Sequence, residues 1–254
     1  MRIVVAGGTG VVGRLVVEVA RGRGHDVVVL SRAHGIDLLT GDGLAGAVEG
    51  ADAVVDVTST QTQSTRAARA FFEQTTRNLL AAEDAAGIGH HVLLGIVGSD
   101  RAASGYYAGK VHQEELVAAG PVPWTILRAT QFHEFAVQVR GAAALGPLVL
   151  VPVMRSAPVA AREVAERLVD LAAAGPAGRA TDLAGPQERS MVELARAWGA
   201  HVGDRRRVVP VPLPGRFGRG LRSGAILPGP DADRGTTSFE DWLASPDAAR
   251  MTPA

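Results

Sequence analysis

The 254-residue chain contains no cysteine and only 4% aromatic residues; of its 26 basic side chains a single one is lysine, Lys110, and its only tyrosines are Tyr106 and Tyr107. Without cysteine there is no disulfide scaffold, no thiolate zinc site and no thiol nucleophile. Excess charge is missing too, because 26 acidic side chains balance the 26 basic ones. That removes the long-range field with which proteins find a phosphate backbone, so nucleic acid is not an expected partner. No run reaches the roughly 18 apolar residues needed to cross a bilayer. The chain opens on Met1-Arg2-Ile3-Val4-Val5-Ala6 rather than on a charged leader, and a cytoplasmic protein with no membrane partner is expected. With no His-Glu-x-x-His and no clustered carboxylates, a metal is not expected either.

What is present is an alternation of short β-branched runs with amphipathic segments, the pattern of a parallel sheet covered on both faces. Strands are expected near Ile3 to Ala6, Asp26 to Leu30, Ala53 to Val57, His91 to Val97 and Trp124 to Leu127. Helices are expected through Val12, Leu15, Val16 and Val19, closed by Gly22 and Gly24, and from Thr65 to Ala86, from Arg162 to Ala173 and from Glu188 to Trp198. Right-handed crossovers between such strands make a Rossmann-type doubly wound α/β sheet. Residues 1–150 are expected to form this dinucleotide-binding domain, with 151–254 a smaller substrate-binding portion. Pro210 to Gly229 reads as a long loop, either a lid or a passive connection, and Thr237 with Glu240 fits a capping box opening a short helix that carries Trp242.

The sharpest local pattern is Gly7-Gly8-Thr9-Gly10-Val11-Val12-Gly13, directly after the first strand and opening the first helix. Glycines at 7, 10 and 13 permit a positive φ, close approach of backbone amides to a pyrophosphate, and tight packing of helix on strand. At the end of the second strand an NAD site wants a carboxylate for the ribose diol, whereas this chain has Leu30-Ser31-Arg32. Arg32 suits a 2′-phosphate and Ser31 can donate to it, so NADP(H) is the expected cofactor. Asp42 is a candidate acceptor for the adenine amine, and Val57, Thr58 and Ser59 are candidates to line the adenine ribose.

Tyr106-Tyr107-Ala108-Gly109-Lys110 opens a segment that reads as helix. Four residues place Tyr106 and Lys110 on one face, while Tyr107 points about 100° away. That the only lysine falls four residues after a tyrosine is expected by chance about once in a hundred sequences of this composition. A phenol is a poor acid–base group at neutral pH, but a neighbouring ammonium stabilises its ionised form. Tyr106 is therefore the candidate acid, with Lys110 tuning it and binding the nicotinamide ribose hydroxyls. Arginine would not substitute, because its charge is spread over a planar fork.

These motifs, with Asn78-Leu79-Leu80-Ala81-Ala82, Gly95-Ile96-Val97-Gly98 and Thr125-Ile126-Leu127-Arg128-Ala129-Thr130-Gln131-Phe132, resemble the atypical, extended-like short-chain dehydrogenase/reductases of the NmrA-like, NAD(P)-binding group. The resemblance covers about residues 1 to 135, and Phe239-Glu240-Asp241-Trp242-Leu243 is similar to that group's terminal helix. It implies a nicotinamide cofactor and a Ser/Thr–Tyr–Lys set for reducing carbonyls or quinones. It also implies a departure: the hydroxyl residue usual at the end of the preceding strand is Gly95 here, so Ser99 or Ser104 must replace it or Tyr106 must work without it. Gln131, Phe132 and His133 follow the last core strand, and there Phe132 suits a nicotinamide wall and His133 a substrate contact. The expected function is an NADPH-dependent reductase of a small molecule. The alternative is an NADP(H)-sensing regulatory protein without turnover. Epimerase or dehydratase chemistry on bound NAD is disfavoured by Arg32. Monomer and homodimer stay open.

Overall fold

Two apolar runs become central strands because their side chains, Asp56 apart, need no water. Ile3 to Ala6 and Ala53 to Asp56 are buried at every position, on both faces of the sheet. The structure, a computed structural model, describes residues 1–251. Strands β1 (Arg2–Ala6), β2 (Asp26–Leu30), β3 (Ala53–Asp56), β4 (His91–Ile96) and β5 (Trp124–Ala129) stand in the order β5-β4-β3-β1-β2. The β1–β2, β1–β3 and β3–β4 ladders are parallel, with Ile3 opposite Val27 and Ala53, and Asp56 opposite Leu93. The chain runs from β1 outward to β2 and then returns past β1 to β3. The strand order therefore reverses between β1 and β3, and in open α/β sheets ligands bind at the carboxyl ends of the strands flanking such a reversal.

Helices α1 (Val11–Gly22), α2 (Leu44–Val48), α3 (Thr65–Ala85) and α4 (Tyr106–Ala119) cover the sheet. Val4, Ala6, Leu30, Leu44, Val54 and Leu79 form one core cluster, and Leu80, Leu93, Val117, Val122 and Ile126 another. The Ser64 hydroxyl accepts the Ala67 amide at 3.3 Å and starts α3. Helices α3 and α4 pack closely because residue 109 has no side chain. A Cβ there would stand 2.8 Å from Ala68 Cβ and 2.7 Å from the Phe72 ring.

Two compact units divide the chain, residues 1–128 with 162–181 and residues 129–161 with 182 onward. The first holds the strands and helices just described, apart from the last residue of β5, and most of the helix Ala161–Ala174. In the second, the strands Leu148–Pro152 and Arg207–Val211 run parallel and Ala144–Leu145 pairs antiparallel to the former. Its core packs Trp198 against Trp242, tilted by 41° (5.7 Å), and stacks Trp242 on Phe239 (5.4 Å). The Trp242 indole donates to the buried Glu134 carboxylate at 3.0 Å, and burial pushes Glu134 up to about 7.

Several expectations change here. The boundary placed at residue 150 falls inside the strand Leu148–Pro152, whose ladder belongs wholly to the second unit. Pro210 to Gly229 is not one loop, since it begins in a strand and contains the helix Gly215–Ser223. The helix expected from Glu188 starts at Met191, because Ser190 and Glu193 form a capping box that fixes its first turn. The last such box is Ser238 with Asp241, one residue beyond Thr237 and Glu240: Ser238 Oγ accepts the Asp241 amide at 3.1 Å, and Asp241 Oδ2 accepts the Ser238 amide at 3.3 Å.

Candidate functional site

The glycine turn sits between β1 and α1. Gly7 has φ +79°, and a Cβ on it would lie 2.7 Å from the Val57 carbonyl oxygen, so this turn and the end of β3 touch. A Cβ on Gly13 would collide with the Gly7 carbonyl and stand 2.6 Å from Gly8 Cα. The third glycine is thus a steric requirement of strand–helix packing. The first amide to close onto the helix is Arg14, bonded to Gly10 O at 3.0 Å, and Gly10 provides no side-chain cap. The amides of Val11, Val12 and Gly13 therefore have no carbonyl within the helix to bond and lie at its positive end, which fits a pyrophosphate. Thr9 keeps its place in the turn through its carbonyl, which accepts Arg14 Nε at 2.8 Å.

Beyond β2, Arg32 is exposed in a short 3₁₀ turn, and its guanidinium makes no hydrogen bond or ion pair among the described residues. Ser31 Oγ is 2.8 Å from His34 Nδ1. The exposed Asp42 accepts the Thr40 hydroxyl at 2.7 Å, and Asn78 pins the neighbouring loop by donating to the Leu38 and Leu39 carbonyls at 2.9 Å each.

Tyr106, Lys110, Gln113 and Val117 occupy one face of α4 at helical spacing. The half-buried Tyr106 ring meets the edge of Phe72 at 5.6 Å, and its hydroxyl lies 3.0 Å from Ser59 Oγ. Lys110 is buried, 5.1 Å above the Phe72 ring, and donates to Gln113 Oε1 at 2.5 Å. Gln113 Nε2 in turn donates to Asp56 Oδ2 at 2.8 Å and to Thr58 Oγ1 at 3.3 Å. The reversed amide would set NH₂ against the ammonium and oxygen against the carboxylate, so the charges on either side dictate its orientation. Asp56 also accepts the Thr58 amide at 2.8 Å.

Burial pulls the Lys110 ammonium down to about 8, against the Asp56 and Glu114 carboxylates, which hold it up. Burial, aided by Asp56, pushes the Tyr106 phenol above its usual range, while the Ser59 bond works the other way. The expected lowering of the phenol by Lys110 is thus not what this geometry produces. The ammonium is engaged with Gln113, and burial dominates at Tyr106.

Ser99 is placed otherwise than expected. It is fully buried in the turn after β4, and among the described residues its hydroxyl has no hydrogen-bond partner, Tyr106 included. The vacancy at Gly95 has a physical cause. A Cβ there would run into the Glu114 carboxylate and stand 3.0 Å from Arg128 Cγ. Glu114 is buried, accepts Arg128 Nη2 at 2.7 Å and Arg179 Nη1 at 2.9 Å, and fills the space a serine would need. In the second unit, Gln131 Oε1 accepts the Ser156 hydroxyl at 3.0 Å, and Phe132 forms a bridge with Val159. His133 is 1% exposed, packs its ring against Phe239 and Trp242, and bonds through Nε2 to the Thr237 carbonyl at 3.0 Å. Only Phe132 of these three is part open to solvent.

Along the sequence neither Asp56 nor Gln113 stands out, and Ser59 suggests only a ribose contact. The available signals were a carboxylate ending an apolar strand run and a glutamine three residues after the lysine on its own face. Among the described residues no group of three or more His, Asp or Glu side chains is arranged to hold a metal, and no helix is long and apolar enough to cross a membrane.

A protein-family model described as NAD(P)H-binding matches residues 7–174. No curated protein matches the chain by sequence. Among solved structures, an NADPH-dependent quinone oxidoreductase from Escherichia coli complexed with NADPH is similar at 18% identity and a TM-score of 0.70, over 95% of this chain and 98% of that one. A short-chain dehydrogenase/reductase superfamily protein from Agrobacterium tumefaciens with bound NAD is similar at 20% identity and 0.67, over 98% and 97%. The UDP-glucose 4-epimerase of Thermus thermophilus in complex with NAD is similar at 18% and 0.67, over 96% and 92%. At such identities what is shared is the fold, here the Rossmann type that the alternating strands and helices predict.

Proposed function

The chain belongs to the NAD(P)H-binding family, and on that premise we propose that it is an NADPH-dependent reductase of a carbonyl, quinone or related conjugated small molecule, with Tyr106 as proton donor. The observation that carries this reading is the juxtaposition at the strand-order reversal. The glycine turn touches the end of β3, and that end holds the Tyr106 hydroxyl, with Lys110 one helical turn further on.

When bound, NADPH would supply a hydride from C4 of its nicotinamide. The chain's own residues do the rest. Gly7, Thr9 and Gly10 shape the turn, and the amides of Val11, Val12 and Gly13 receive the pyrophosphate. Arg32 and Ser31 take the 2′-phosphate and select NADPH over NADH. Asp42 accepts from the adenine amine, and Val57 and Thr58 border the adenine ribose. The Lys110 ammonium holds the nicotinamide ribose hydroxyls. Tyr106 gives its proton to the substrate oxygen as that oxygen gains charge, and the phenolate regains a proton from solvent. Gln131 and His133, packed into the second unit, serve its core, and Ser99 has no part in the proton transfer.

The test is NADPH consumption across a panel of quinones and carbonyl compounds. Wild-type protein turns over at least one of them, and Tyr106→Phe lowers that rate about 100- to 10,000-fold. Unchanged turnover in Tyr106→Phe overturns the role of the phenol. A second reading, a regulatory NADP(H) sensor, is favoured by the absence of a hydroxyl at Gly95, and tight NADPH binding with no consumption across the panel would select it.

A further inference from the structure

We propose that Ser59, on the loop after β3, is a catalytic residue: it supplies to Tyr106 the hydroxyl that β4 lacks. The proposal rests on the reductase reading, whereas the geometry behind it stands on this chain alone. Of positions 95, 99, 104 and 59, only Ser59 brings a hydroxyl to the phenol: Ser104, just before α4, uses its backbone carbonyl to accept the Tyr107 amide, and among the described residues its side chain makes no hydrogen bond to Tyr106. At residue 95 the Glu114 carboxylate and Arg128 leave no volume for a side chain. Ser99 is sealed in the interior, and among the described residues its Oγ is bonded to nothing. Ser59 Oγ lies 3.0 Å from Tyr106 Oη, and Ser59 is exposed while the phenol is half-buried, so this pair meets solvent where residues 95 and 99 do not.

The direction of the hydrogen bond follows from the chemistry. Tyr106 must point its O–H at the substrate oxygen to protonate it, which leaves its lone pairs to accept. Ser59 O–H therefore donates to Tyr106 Oη. When the phenol proton passes to the substrate oxygen, Ser59 keeps its own proton and its hydrogen bond becomes charge-assisted, which stabilises the phenolate. The other groups about the phenol oppose or ignore that charge. Asp56 on β3 repels it, the Phe72 edge on α3 is apolar, and Lys110 on α4 is bonded to Gln113. Ser59 is the neutral donor that acts in the required sense. Its position is secured by the same strand end that orients Gln113, because Asp56 holds the Thr58 amide immediately before it.

Two tyrosines make the test direct. In a Tyr107→Phe background Tyr106 is the only phenol, and its ionisation is read by ultraviolet absorbance in the protein without cofactor. Ser59→Ala raises the pH at which the phenolate appears, Ser59→Thr restores it, and Ser99→Ala leaves it in place. Under turnover with a quinone, Ser59→Ala lowers kcat about tenfold, the effect of losing one hydrogen bond to the developing charge, with KM for NADPH unchanged. An unshifted titration in Ser59→Ala, or an equal shift in Ser99→Ala, overturns the assignment even where Tyr106→Phe abolishes activity. A shifted titration in a protein whose turnover is indifferent to Tyr106→Phe overturns the reductase reading instead, and the catalytic assignment of Ser59 with it. Should Ser59→Ala unfold, shown by thermal melting, Ser59→Cys keeps the side-chain volume with a weaker donor and must move the titration in the same direction.

Discussion

The ends of β3 and β4 are neighbours on one sheet, face the same helix and have opposite uses. At the end of β3 the polar groups reach α4: Asp56 orients Gln113 against Lys110, and Ser59 holds Tyr106. At the end of β4 glycine replaces a side chain so that Glu114, reaching in from α4, can bury its carboxylate against Arg128 and Arg179. One end is arranged around groups with protons to give and the other around an ion pair. On the proposed reading, a role in such a site belongs to a place in space, and the strand that fills it is whichever one is not already occupied. Glu114 closed the β4 side, and the β3 loop reaches the phenol from the other.

The comparison breaks most visibly at Gly95. Gly95→Ser would restore a hydroxyl at the end of β4 but drives Cβ into Glu114, separating a buried charge from its partners. The expected cost is about 3–5 kcal/mol of stability, read by denaturant unfolding. A stable Gly95→Ser protein with undiminished activity would remove the steric account. Arg32→Ala comes next. With Arg32 on the 2′-phosphate as proposed, its loss weakens NADPH binding about 10- to 100-fold while leaving NADH binding alone, as calorimetry of both would show.

A smaller effect is expected at Asp56. Lys110 carries its charge below about pH 8 and loses it above, so NADPH binding weakens as pH rises through that value. Asp56→Asn removes a carboxylate that favours the charged form, and the weakening should then begin at lower pH. Fluorescence titration of NADPH across pH reads both. An onset unmoved by Asp56→Asn would mean that the buried carboxylate does not govern the lysine. Smallest is Ser99→Ala, which deletes a buried hydroxyl without a partner. It should leave the phenol's titration in place and change the melting point little, within about 0.5 kcal/mol in either direction.

Much of the first unit could be read along the chain because its information is local. Asp26 to Leu30 is a strand at the residues expected, and α3 ends within one residue of its expected stop, since an apolar run or a helical period declares itself in a few residues. The glycine turn between β1 and α1 and the placement of Tyr106 and Lys110 one helical turn apart on α4 were legible for the same reason. Ser59 and Tyr106 are 47 residues apart and Asp56 and Gln113 are 57 apart. No period or spacing along one sequence reports such pairs. Gly95 misleads along the chain, because a missing side chain looks like a lost function until the Glu114 carboxylate that fills its space is seen. The second unit, with its two-residue strands and short helices, offered little period to read, and the capping box at Ser238 and Asp241 was displaced by one residue for want of it.

A crystal structure with NADP⁺ bound tests the account most directly. It should show the nicotinamide C4 facing the Tyr106 hydroxyl, the Lys110 ammonium within hydrogen-bond distance of the adjoining ribose, and Ser59 still on the phenol. A nicotinamide turned away from α4, with Lys110 making no contact to the ribose, would contradict it.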